Sequence, residues 1–121
     1  MVKLYRVILP VTDIKEAARF YGTLFETPGM RVSPGRHYFN CGGCLLACYD
    51  SMADGDEMRV PPNPDHIYFS MPDIGKAYEV VKSSGGKDMS EIDIMPWGER
   101  CFYFQDPFEN KLCFVDEKTV F

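Results

Sequence analysis

Residues 6–21, RVILPVTDIKEAARFY, align without a gap on residues 66–81, HIYFSMPDIGKAYEVV, at an offset of 60 positions. No other feature constrains the fold of this 121-residue chain so strongly, because a repeat demands two copies of one supersecondary unit. In each copy a short apolar strand runs into Asp-Ile, at Asp13-Ile14 and Asp73-Ile74, and then into an amphipathic helix with alanine one turn on, at Ala17 and Ala77. Asp13 and Asp73 are predicted N-caps, whose carboxylates accept from the free N–H groups of the first turn, and Glu16 completes a capping box with Asp13. Gly85-Gly86 is the predicted stop of the second helix.

After each helix come three apolar runs separated by turn residues, at 30–32, 37–41 and 44–49 in the first copy and 92–95, 100–105 and 111–115 in the second. The order is βαβββ twice. That is an α+β fold class, with two similar sheets forming a curved mixed sheet around a concave cleft. The chain reads as one domain, 1–121, made of repeat 1 (1–50), a Pro-, Asp- and Met-rich linker (51–65) and repeat 2 (66–121). With 45% apolar and 26% charged residues it has the composition of a packed globular domain.

The stretch FNCGGCLLACYD places three of five cysteines in eight residues, at Cys41, Cys44 and Cys48. Gly42-Gly43 between two apolar strands is a strong signal for a two-residue hairpin, so the Cys-x-x-Cys spacing is explained by a turn. A redox pair draws its thiolate character from a helix N-terminus, which this segment lacks, and a structural zinc site wants a second such pair. Five cysteines and no export signal predict free thiols and a cytoplasmic protein. A formal charge of −5 argues against nucleic acid or an anionic membrane as partner and leaves small molecules or proteins.

Strand alternation assigns the faces. Val7, Leu9, Val11, Phe39, Leu46, Phe102, Phe104, Leu112 and Phe114 fall on the helix side. Arg6, Tyr38, Asn40, Leu45, Ala47, Tyr49, His66, Tyr68, Cys101, Tyr103, Cys113 and Val115 fall on the other, where four tyrosines beside Arg6 and His66 make an amphipathic binding surface, or a core filled by their own rings.

The two strand-to-helix passages VTDIKEAARFY and HIYFSMPDIGKAYEVV, with the late segment MPWGERCFYFQDPFENKLCFVD, resemble the vicinal oxygen chelate superfamily, which includes glyoxalase I, bleomycin-resistance proteins and extradiol dioxygenases. In the late segment Glu109 stands where the family's loop has glycine. The resemblance implies a homodimer and, in the family's enzymes, a divalent metal held by four side chains, usually His on the first strand of each repeat and Glu on the last. Here those positions read Arg6, Ala47, His66 and Cys113, and only His66 matches. A guanidinium has no lone pair to give, and alanine has no donor. The sequence is therefore more similar to the metal-free, bleomycin-resistance-like members, and no metal or other cofactor is expected.

The implied function is binding of a small planar or anionic molecule in an aromatic cleft, with Arg6, Tyr38, Tyr49, His66, Tyr68, Trp97, Tyr103 and Cys113 as ligand-binding residues. Arg6 supplies a fixed positive charge and Trp97 a stacking plane; no residue is assigned to catalysis. The alternatives are a metal-dependent lyase or dioxygenase of the same superfamily using His66, with Cys113 as a possible thiolate, and an interaction module whose cleft is filled.

Overall fold

The computed structural model describes all 121 residues. They divide into two compact units, Met1–Pro62 and Asn63–Phe121. The first contains β1 (Arg6–Pro10), α1 (Ile14–Phe25), β2 (Met30–Ser33), β3 (Arg36–Cys41) and β4 (Cys44–Tyr49). The second repeats the order with β5 (Ile67–Met71), α2 (Ile74–Ser84), β6 (Asp93–Ile94), β7 (Arg100–Gln105) and β8 (Lys111–Asp116), followed by a short 3-10 turn at Glu117–Thr119. Each unit has one four-stranded mixed sheet, in the orders β1-β4-β3-β2 and β5-β8-β7-β6. The first strand of each repeat pairs parallel with the last, and the remaining pairs are antiparallel. This is the α+β pair of βαβββ repeats that the sequence predicts. No helix is long and apolar enough to cross a membrane.

The helices begin where their caps put them. Asp13 accepts from the Lys15 and Glu16 amides, and Asp73 from the Lys76 amide. The capping box does not form: the Glu16 carboxylate is taken by the Arg19 side chain one turn on, so it does not return to the cap. A bidentate-capable guanidinium three residues away is the stronger competitor for an exposed carboxylate.

One face of each sheet is closed by its helix. In the first unit Leu9, Phe20, Tyr21, Phe39 and Cys48 are fully buried, and in the second Val81, Phe102, Leu112 and Phe114 are. The cross-strand partners are those expected, Phe39 with Leu46, Phe102 with Phe114 and Phe104 with Leu112. A one-residue slip would have turned every one of these rings to the other face.

Gly42 and Gly43 have φ of 64° and 100°, and Asn40 Oδ1 accepts from the Gly43 amide at 2.8 Å. Two successive positive φ values match the right-handed twist of the flanking strands. Cys41 and Cys44 are the residues facing each other across this turn, and all five cysteines are free thiols. Under native conditions Cys41 and Cys44, which are partly exposed, are expected to react with a thiol reagent ahead of the rest, Cys41 slowed because burial pushes its thiol pKa up, whereas buried Cys48, Cys101 and Cys113 react only on unfolding. Counting two fast and three slow thiols by titration checks this; loss of the fast pair in an unreduced sample would point to a disulfide instead.

Residues 51–56, polar enough to read as linker, pack on the first unit. The Asp54 carboxylate accepts from Ser33 Oγ at 2.8 Å and the Gly35 amide at 2.6 Å, and pairs with Arg36 Nε at 3.4 Å. A Cβ on Gly35 would lie 2.2 Å from the Asp50 carbonyl oxygen, so this close approach admits only glycine. Glu109 keeps the left-handed conformation of the loop it occupies, with φ of 71°. It does so without glycine's freedom, at a cost of about 1 kcal/mol.

Candidate functional site

Strand register makes residues of the two repeats equivalent. Val7 faces Leu46 on β4 as Ile67 faces Leu112 on β8, and Phe39 faces Leu46 as Phe104 faces Leu112. It follows that Arg6 corresponds to His66, Tyr38 to Tyr103, and Ala47 to Cys113. Each pair lies on the sheet face away from the helix.

In the first unit Arg6 Nη1 donates to the Tyr38 hydroxyl at 2.9 Å. Its guanidinium carbon lies 5.2 Å from the Tyr5 ring centre and 5.7 Å from that of Tyr38, within cation–π range. Arg36 Nη1 approaches the same hydroxyl at 3.4 Å, and the Arg36 guanidinium sits 4.3 Å over the Tyr49 ring. Tyr49 in turn donates to Asp56, a bond that pushes its phenol pKa up, with burial adding to it. The Ser33 hydroxyl, the Gly35 amide and the Arg36 charge hold Asp54 below the usual carboxylate range, against some desolvation. Arg36 thus has a carboxylate partner in Asp54, whereas Arg6 is exposed and its polar partner is a phenol. Arg6 is not the buried guanidinium that a filled aromatic cup would make it.

Arg36, Asp54 and Asp56 are members of this cluster that the sequence does not single out. The signal for Arg36 is present: alternation puts it two residues before Tyr38 on the same face, once β3 is begun one residue earlier than the apolar run. The two aspartates carry no such signal, because their position depends on how residues 50–56 fold back.

In the second unit His66 packs edge-on against Tyr103 at 4.9 Å and lies 6.4 Å from Tyr68, which is 55% exposed. His66 Nδ1 is 3.7 Å from the exposed Asp65 carboxylate. Cys101, Cys113 and Val115 are buried in a small cluster closed by Met95 and Tyr103. Burial, then the neighbouring Cys101 thiol, pushes the Cys113 pKa far up, so the sulfur is a neutral thiol and not a thiolate. Burial and the two cysteines likewise push Tyr103 up. Trp97 stands apart from these contacts, its ring exposed and its indole N–H donating to Glu99 Oε1 at 2.7 Å. The second histidine, His37, is spent on structure: its Nδ1 accepts from Arg31 Nε at 3.2 Å and its Nε2 donates to the Pro28 carbonyl at 2.8 Å.

The paired βαβββ sheets are the fold of a known family. The profile of the Glyoxalase/Bleomycin resistance protein/Dioxygenase superfamily matches residues 3–114, nearly the whole chain. The chain belongs to this superfamily. Among solved structures, a glyoxalase-related enzyme from Fulvimarina pelagi superposes with a TM-score of 0.78 at 18% identity, covering 98% of this chain and 90% of the other. A glyoxalase/bleomycin resistance protein from Albidiferax ferrireducens T118 gives 0.75 at 18% identity over 93% and 98%. A lactoylglutathione lyase from Agrobacterium tumefaciens gives 0.69 at 18% identity over 96% and 94%. At such identities the likeness is one of fold. Comparison with curated proteins gives no match.

At two of the four positions that the resemblance assigns to a family metal, Arg6 and Ala47, this chain has no lone pair to give, while His66 keeps the family's residue. Arg6 is bonded to Tyr38, Ala47 is buried, and the Cys113 thiol is buried beside Cys101 and Val115. No three His, Cys, Asp or Glu side chains converge in a geometry that could hold an ion.

Proposed function

We propose that this superfamily member binds a small planar, anionic molecule without a metal, through the face carrying Arg6 and Tyr38. The observation that carries the reading is Arg6 itself. Where the family's enzymes place a metal ligand, this chain has a permanent cation with aromatic rings beside it and no carboxylate partner. A guanidinium presents a planar fork of donors, and with Nη1 engaged by Tyr38 the remaining donors are available to a carboxylate. The rings of Tyr5 and Tyr38 supply apolar surface for a flat ligand.

Arg6→Leu is expected to weaken binding of aromatic carboxylates such as benzoate by about 1.5 kcal/mol, roughly tenfold in Kd, the worth of one charge-assisted hydrogen bond in a partly solvated site. Isothermal calorimetry measures it, with far-UV circular dichroism confirming an unchanged fold. Equal affinity in the variant overturns the anion-site reading. The lyase reading, which the name of the Agrobacterium neighbour suggests, needs His66 to hold a metal. One equivalent of divalent metal in the purified protein, lost in His66→Ala, would replace the binding reading with it.

A further inference from the structure

Tyr38 and Tyr103 occupy equivalent places in the two repeats, yet their hydroxyls meet opposite surroundings. Tyr103 lies among buried thiols and rings. Tyr38 faces two guanidiniums, Arg6 from β1 at 2.9 Å and Arg36 from its own strand at 3.4 Å. Guanidiniums only donate, so both contacts fall on the lone pairs of the phenol oxygen, and the phenol hydrogen points out of the cluster. The other charged and titratable groups nearby are committed elsewhere. Tyr49 on β4 donates to Asp56, Asp54 holds Ser33, Gly35 and Arg36, and β2 puts only Met30 opposite Tyr38. Two guanidiniums, of which only Arg36 has a carboxylate partner, ease ionisation of this phenol relative to an ordinary tyrosine.

We propose that Tyr38 is a proton-transfer group: in the alkaline range where it is ionised ahead of the other tyrosines, its oxygen takes up a proton as a carboxylate settles on Arg6. The identity of the ligand rests on the anion-binding reading; the state of Tyr38 does not. In the step, the phenolate oxygen forms its O–H bond with a proton delivered by solvent hydronium or buffer acid, whose electron pair stays with the donor. The carboxylate replaces the phenolate as counter-charge to Arg6. Desolvation opposes ionisation of this phenol, but the hydrogen bonds and charges of Arg36 and Arg6 outweigh it and hold its pKa below the ordinary tyrosine range. It is the reverse of the direction at Tyr49 and Tyr103.

Titration in the phenolate absorbance band is expected to show one of the seven tyrosines ionising ahead of the rest. That early step should vanish in Tyr38→Phe and move back into the bulk in Arg6→Gln. Benzoate affinity should fall by up to about tenfold per pH unit once Tyr38 is ionised, because binding then requires a proton, and should stay flat over that range in Tyr38→Phe. No early tyrosine, or an early one that survives Tyr38→Phe, overturns the proposal. If Tyr38→Phe fails to fold, titration of Arg6→Gln and Arg36→Gln, which keep the phenol, decides in its place: an early step unmoved by either overturns it. An early step that responds as expected, with benzoate failing to bind at all, overturns the anion-binding reading alone.

Discussion

Asp106→Ala is expected to lower the free energy of unfolding by about 3–5 kcal/mol, the cost of leaving buried donors without their acceptor. The Asp106 side chain is fully buried in the loop between β7 and β8. Its carboxylate accepts from the Phe108 amide at 2.8 Å, the Asn110 amide at 2.9 Å and the Asn110 side-chain amide at 2.9 Å. Asn110, itself buried, carries the network on by accepting from the Asn63 amide at 3.0 Å. Alanine removes the acceptor for all three donors at once, in a loop that already contains the left-handed Glu109. Asp106→Asn keeps one acceptor oxygen and should cost roughly half as much. Urea unfolding with an unchanged m-value is the measurement. A loss under about 1 kcal/mol would show that the backbone turn alone holds the hairpin carrying Tyr103 and Cys113.

Phe39→Ala should cost about 3–5 kcal/mol as well, by opening a cavity in the core of the first unit. Phe39 is fully buried, with ring centres of His37, Phe25 and Tyr21 at 5.1, 5.7 and 6.3 Å. A Cβ on Gly29 would stand 2.7 Å from its ring, so the site is packed from the loop side too. Against a total stability of about 5–15 kcal/mol for a chain of this kind, the loss is a large fraction. Phe39→Leu, which refills much of the volume, is expected to lose less than about 2 kcal/mol. Thermal and urea unfolding of the pair separates a cavity effect, in which the two differ, from a nonspecific one, in which they do not. Because Tyr38 is the next residue on the same strand, facing the other way, Phe39→Ala also tests whether the helix-side core holds the Arg6–Tyr38 contact in register.

The elements and faces were legible in the sequence because they follow from local rules. Aspartate before an apolar periodic run starts a helix, Gly42-Gly43 makes a two-residue turn, and alternation sorts Phe39 from Tyr38 without knowledge of any partner strand. The repeat doubled the force of each inference, since whatever holds for Asp13 must also hold for Asp73. The family resemblance rested on this repeat together with the late segment MPWGERCFYFQDPFENKLCFVD. Side-chain partnerships were another matter, because they depend on which of several competing groups lies nearest in space.

Glu16 chose Arg19 over the helix cap, and Asp54 and Asp56 returned from a segment of linker-like composition to hold Ser33, Arg36 and Tyr49. Cys113 and Tyr38 show the division most sharply. The sequence by itself determined that both lie on the face away from the helices, since two-residue periodicity depends on nothing beyond the strand. Only the tertiary structure decided that one is a neutral thiol buried beside Cys101 and the other a phenol under two guanidiniums. Ionisation depends on desolvation and on charges within a few ångströms, and residues 32 positions apart, as Arg6 and Tyr38 are, come within that range only when the chain has folded.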